Sequence, residues 1–172
     1  MPTPAYINIR GITQGEITKS AFTADSVGNI FVEGHEDEIM VQKIEHRVAV
    51  PTDPQSGQPS GQRVHHPFRF TSGLNKATPL LYQALASGEK LENVLVRWYR
   101  TSTEGKQEHF FSTELEDATI VEIQSVLPHV QDDNNKNFTQ LIEVSLAYRK
   151  ITWSHVTAGT EGSDDWRKPI EA

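Results

Sequence analysis

The stretch Leu141-Ile-Glu-Val-Ser-Leu-Ala-Tyr-Arg-Lys-Ile-Thr-Trp153 decides the fold. In an extended chain Ile142, Val144, Leu146 and Tyr148 line one face, and Glu143, Ser145 and Arg149 line the other. The alternation predicts one strand over Leu141–Trp153. Ile151 and Trp153 then fall opposite Tyr148, so the strand is apolar on both sides. Val94–Tyr99 repeats the anomaly, with Val94, Val96 and Trp98 opposed by Leu95, Arg97 and Tyr99. A sheet wet on one side alternates more cleanly. The second face must be covered by a helix or by another subunit. Leu95, Tyr99, Arg149, Ile151 and Trp153 are therefore the subunit-interface candidates.

The rest of the chain follows the same period. Ile7 and Ile9 mark a strand over Tyr6–Arg10, and Phe68 and Phe70 mark another over His66–Thr71. Between Ile39 and Val50, Ile44, Val48 and Val50 share a face with His46. Three successive apolar residues, Ile39, Met40 and Val41, break that register and predict a bulge or a two-sided contact. Thr103–Lys106 is a turn in which Gly105 can take positive φ, with a return strand through His109, Phe110 and Phe111. Val121 and Ile123 resume the β pattern after Glu116-Asp117. One helix is predicted, Ala77–Ser87, with Leu81, Ala84 and Leu85 on one face. Thr78 serves as N-cap, Pro79 sits in the first turn and Gly88 is the stop. Pro51–Arg63 holds three prolines and two glycines without an aliphatic anchor, and reads as a long exposed loop. Gln131–Asn137 is a second polar loop. Residues 159–172 form a polar tail containing Trp166, an indole worth burying. No repeat or linker divides the chain, so residues 1–172 read as one mainly β domain.

Composition narrows function by exclusion. A chain of 172 residues can bury about 70% of its unfolded surface, leaving roughly 8,500 Å² exposed. No cysteine is present, which removes disulfides, thiolate catalysis and cysteine-ligated metals. Sixteen Lys+Arg against 23 Asp+Glu give a net charge of −7, without the cationic footprint of a nucleic-acid binder. No apolar run reaches the ~20 residues of a membrane helix. The N-terminus carries no basic and apolar export leader.

The sequence displays no enzyme motif. Glu33-Gly34-His35-Glu36-Asp37-Glu38 concentrates metal-ligating types, but matches neither an EF-hand nor a His-Glu-x-x-His spacing, and reads as a solvated acidic turn. His65 and His66 are neighbours on an extended chain and point apart. His46 reads as a half-buried, hydrogen-bonded histidine, while His109, His129 and His155 have no readable partner. No nucleophile elbow or glycine-rich phosphate loop occurs. Arg97, Arg100, Arg149 and Lys150 lie among carboxylates and suit cross-strand pairs or subunit contacts. No catalytic, metal or cofactor residue is assigned.

Taken in order, several segments resemble the haemolysin-coregulated protein (Hcp) family of the type VI secretion system. They are Pro2–Ile7, Ala21–Ile30, Val50–Pro59, Leu80–Glu89, Trp98–Thr101, Gly105–Thr113, Leu141–Lys150 and Gly162–Trp166. The chain looks most like the enterobacterial type. The resemblance implies a small β-barrel of two sheets with one flanking helix, six copies closing into a homohexameric ring, and rings stacking into a hollow tube. It also implies a surrounding contractile sheath, a VgrG-type spike, effector proteins carried in the lumen, and delivery from the cytoplasm to the outside. No cofactor and no catalytic residue comes with the family, and the chain resembles the plain tube subunit without a fused toxin domain. The exposed loop matches the family's extended loop, which makes Thr52, Asp53, Pro54, Gln55, Ser56, Gly57, Gln58 and Pro59 the ring-stacking candidates.

Two other classes are open to the same residues. A monomeric barrel could bind a ligand inside, and a chance pair of carboxylates could serve a cleft enzyme. The ring could also act as a chaperone for its cargo.

Overall fold

Ile7 and Ile9 are fully buried on β1 (Ala5–Gly11), the strand around which the barrel is built. A computed structural model describes residues 3–168. After β1 come β2 (Gly15–Glu16), a single helical turn α1 (Ala24–Val27), β3 (Ile39–Glu45), β4 (Val48–Ala49) and β5 (Val64–His65). Then follow β6 (Phe68–Gly73), α2 (Thr78–Ser87), β7 (Lys90–Thr101), β8 (Gln107–Val126), β9 (Leu141–Ala147), β10 (Lys150–His155) and β11 (Thr160–Asp165).

The large sheet closes on itself. Its order β8-β7-β1-β3-β6-β9 returns to β8, because β8 also pairs with β9, and every pairing is antiparallel. Closure removes the edges of those six strands. Beyond the barrel, β10 pairs with the first half of β8 and β11 pairs with β10, forming a wing. The second sheet is the β4–β5 ribbon. The fold is thus mainly β, with two sheets and short helices, as expected. Inward groups fill the barrel: Ile7, Ile9, Phe70, Leu91, Val94, Val96, Leu115, Ile142, Val144 and Leu146 are all 0% exposed. At roughly 1.5–3 kcal/mol for each such side chain, this packing is the main stabilising term.

The helix closes one end. β6 runs towards that end and β7 starts from it, so the connection between them crosses the opening. α2 lowers Leu81 and Ala84 into the core. Its stop is Gly88, at φ +67°, as the sequence predicts. The start needs correction. Thr78 is the first helical residue rather than the cap, and its hydroxyl accepts from the Asn75 amide at 3.1 Å. Asn75 Oδ1 accepts from the Ala77 amide at 2.9 Å instead.

Three strand boundaries also change. Leu141–Trp153 is two strands broken at Tyr148-Arg149, because opposite them β8 bends at Asp117, which takes φ +54°. On one side of the bend β8 pairs with β10 (Glu116↔Lys150), and on the other with β9 (Thr119↔Ala147). The break resets the alternation and turns Ile151 inward beside Tyr148. β8 itself runs unbroken through Glu116-Asp117. Ile39–Val50 ends as a barrel strand at Glu45, with the expected bulge between Val41 and Lys43. Finally, much of the supposed tail is β11, paired in register with β10. Residues 169–172 of that tail, and Pro2 of the opening stretch, lie outside the described residues.

Candidate assembly surfaces

The Pro51–Arg63 excursion is an ordered arm. β4 and β5 are its two legs, Thr52 and Pro59 bridge across it, and the Ser60 amide donates to the Pro51 carbonyl at 2.8 Å. At the tip Asp53 organises the turn: its carboxylate accepts from the Gln55 amide at 2.9 Å and the Ser56 hydroxyl at 3.0 Å, while its carbonyl accepts from Gly57 at 2.8 Å. Those contacts, the Gln55 amide foremost, hold the Asp53 carboxyl below its ordinary range. Thr52 to Pro59 are all exposed, as are Val48, Val50 and Val64 at the base. The arm presents side chains without burying any of its own tip.

Its root is clamped to the C-terminal strand. Arg63 donates to both oxygens of Asp164, from Nε at 2.7 Å and from a terminal nitrogen at 2.9 Å, and also to the carbonyls of Asp165 and Lys168. The Arg63 hydrogen bonds depress the Asp164 carboxyl, with a smaller contribution from His65. His65 Nε2 lies 2.7 Å from the same carboxylate and its Nδ1 lies 2.6 Å from the Tyr148 hydroxyl. His46, from the other leg, reaches that hydroxyl with Nε2 at 2.7 Å. Burial lowers the His46 pKa, helped by the nearby His65 and His66, and burial raises that of Tyr148. Trp166 donates its indole N–H to the Tyr148 carbonyl but stays 38% exposed.

The interface candidates fall into three situations. Ile151 is 0% exposed within the subunit's own core and has no surface to offer a neighbour, which corrects its assignment. Arg149 is engaged internally, by Asp165 and by Asp117 at 3.5 Å. Leu95, Tyr99 and Trp153 remain half-buried on the outer or wing surface, with Tyr99 set edge-on to Tyr6 and His35. Beside Trp153 the wing carries Phe110, Phe111 and His155, and Trp98 lies opposite Phe111 on β7, all half-buried.

The far end of the barrel carries the loop between β8 and β9. There Leu127, Val130 and Phe138 are 65%, 81% and 58% exposed around a shallow depression. The arm leaves where β3 ends and β6 begins. This loop lies where β8 ends and β9 begins, so the two sit at opposite ends.

The histidines resolve without a metal. His46 is hydrogen-bonded and half-buried as expected, and His65 and His66 diverge, His66 meeting Arg47 at 3.0 Å. His109 finds the Ser112 hydroxyl at 2.7 Å. The acidic turn is only partly solvated: Glu38 is buried, 3.2 Å from His35 and 3.3 Å from Arg97, and His35 stacks on Tyr6. No metal-holding group of three His, Cys, Asp or Glu occurs among the described residues. Sequence reasoning missed the Arg63–Asp164–His65–Tyr148 root. One signal was available: Asp53 and Arg63 are the only charges between Pro51 and Arg63, and each has a structural task.

These features define a closed-barrel protein distinguished by a braced, fully presented arm. The chain belongs to the Hcp family: the family profile described as "Type VI secretion system effector, Hcp" matches residues 6–155. It is similar to the "Major exported protein" of Pseudomonas aeruginosa, at 56% identity over 170 residues and 99% of each chain. Among solved structures, one described as "Crystal structure of Hcp protein" is 56% identical, with a TM-score of 0.92 over 96% of this chain and 99% of that one. A secreted Hcp protein of Pseudomonas aeruginosa is 49% identical, with a TM-score of 0.83 over the same shares.

Proposed function

We propose that this chain is the tube-forming subunit of a type VI secretion system. Six copies close into a ring through the half-buried side surfaces, and rings stack through the arm into a hollow tube. A contractile sheath surrounds the tube, a VgrG-type spike caps it, effectors travel in its lumen, and the subunit is exported with them. The subunit does no chemistry of its own in this role. The family membership and the arm support the reading, and one quantity carries it. The isolated subunit exposes 10611 Å², whereas a compact monomer of 19.3 kDa should expose roughly 8,500 Å². The surplus exceeds the roughly 800 Å² that a partner contributes to a standard interface. A ring needs two different patches on each copy, and the wing aromatics and the Leu95–Tyr99 face provide distinct ones. A ligand-binding barrel is disfavoured, because core side chains occupy the interior.

The test is the solution mass together with negative-stain microscopy. Annular particles with the mass of six copies are expected, and a lone 19.3 kDa particle at every concentration overturns the reading. Each copy carries −7, so bare rings repel and stack weakly at low ionic strength. Sedimentation across a salt series should show stacking grow as the Debye length shrinks towards about 8 Å. Long tubes in dilute low-salt buffer would contradict that mechanism.

A further inference from the structure

We propose that Tyr148, held between His46 and His65, is a proton-operated latch that fixes the legs of the arm to the barrel at neutral pH and loosens them in acid, while Arg63 and Asp164 still tether the root. The placement carries the argument. His65 lies on β5, the returning leg, and His46 lies in the short link between β3 and β4, the outgoing one. Both imidazoles meet on a single phenol oxygen, at 2.6 and 2.7 Å. Tyr148 is 3% exposed and the His65 side chain 2%, so these polar atoms cannot exchange partners with bulk water.

Hydrogen counting fixes the arrangement. Asp164 is a carboxylate bound by Arg63 and can only accept, so His65 Nε2 carries a hydrogen. A neutral His65 then has a bare Nδ1, which accepts from the Tyr148 hydroxyl. With its hydrogen spent, the phenol oxygen accepts from Nε2–H of His46. All three bonds are satisfied with both imidazoles neutral.

One added proton is tolerated. It enters at Nδ1 of His46, the Nε2 hydrogen passes to Tyr148, and the Tyr148 hydrogen passes to His65 Nδ1. Both bonds to the Tyr148 oxygen survive with reversed polarity, the His65–Asp164 bond keeps its own, and the added charge comes to rest beside the Asp164 carboxylate. A second proton is not tolerated. Both rings then donate to the same oxygen, the phenol hydrogen loses its acceptor, and two cations face each other across one atom. His46 is reachable, because it lines an open cavity of about 540 Å³ with Glu45, Arg47, His66 and Arg69.

The surrounding charges sharpen the effect. Arg63 and Asp164 face His65, the Arg149–Asp165 pair lies beyond them, and Arg47 and His66 stand beside His46. The remaining neighbours are the rings of Phe68, Trp153 and Trp166, which stabilise no second cation as well as water would. The lowered His46 pKa agrees with this.

The experiment is hydrogen–deuterium exchange on the full chain at pH 7.5 and pH 5, corrected for intrinsic exchange. Peptides over 48–65 and 160–166 report the latch, and β1 reports the barrel. In wild type the arm should lose about tenfold more protection in acid than β1 does, on the scale of one net hydrogen bond. Tyr148→Phe should lower arm protection at both pH values and remove the pH response. His46→Gln, which bonds without titrating, should hold the arm in acid. Equal wild-type protection at both pH values, an acid response in His46→Gln matching wild type, or parallel loss in β1 would overturn the latch.

Discussion

Arg63 and Asp164, 101 residues apart, form a two-pronged ion pair at 2.7 and 2.9 Å that joins the base of the arm to the edge strand β11. The Arg63 side chain is 10% exposed and that of Asp164 27%, so water competes only at the carboxylate end. Arg63→Ala should lower the midpoint of thermal or denaturant unfolding, because it removes both charge-assisted bonds to Asp164. Arg63→Lys should recover only part of that, because an ammonium cannot span both oxygens. Because the Asp164 pKa is lowered by folding, this contribution is complete above an ordinary aspartate pKa of about 3.9 and is lost as pH falls below it.

His46 and His109 both have lowered pKa values, chiefly through burial, so the unfolded chain binds more protons than the folded one in mild acid. Stability should therefore rise with pH, reaching its full value above about 6.5 and declining below. A double variant, His46→Gln with His109→Gln, should flatten the melting temperature over pH 5–7. An unchanged slope would refute this account of the acid limb.

Glu89 is buried beside the β1–β2 turn, where its carboxylate accepts from the Thr13 amide at 3.0 Å and the Gln14 amide at 2.8 Å. Glu89→Ala would strand both donors and should destabilise by about 1–3 kcal/mol in denaturant unfolding. Glu89→Gln keeps one accepting oxygen and should lose less.

Leu115 is 0% exposed where β8 meets β7 and β10, whereas Val130 is 81% exposed in the far loop. Leu115→Ala should cost about 2–5 kcal/mol and Val130→Ala under about 0.5 kcal/mol in the isolated subunit. If Val130 meets the next ring, its substitution should instead weaken stacking in sedimentation with the melting curve unchanged.

Much of the barrel was legible because its strands are half-buried. Ile7 and Ile9, Phe68 and Phe70, and Val94 and Val96 alternate with outward groups, and period two is what one wet face produces. Leu81, Ala84 and Gly88 likewise placed the helix and its end. Alternation fails where the partner strand decides. Nothing near Tyr148 announces the bend, since its cause is the left-handed Asp117 across the ladder, and so Ile151 was assigned to the wrong side. Composition marked Pro51–Arg63 as a long exposed loop, which it is, but the order in the arm comes from main-chain bonds and from Arg63 reaching Asp164. The cap was misplaced as well, since Thr78 is already helical and Asn75 binds the Ala77 amide ahead of it, which only geometry shows.

The arm and the Leu127–Phe138 loop leave the barrel at opposite ends, so the subunit is a vector. Copies joined end to end by those features would all point one way, and a column built so would have a leading tip chemically unlike its base. Growth would then present one kind of docking surface to each arriving copy, and whatever initiates the column must mimic a different surface from whatever finishes it.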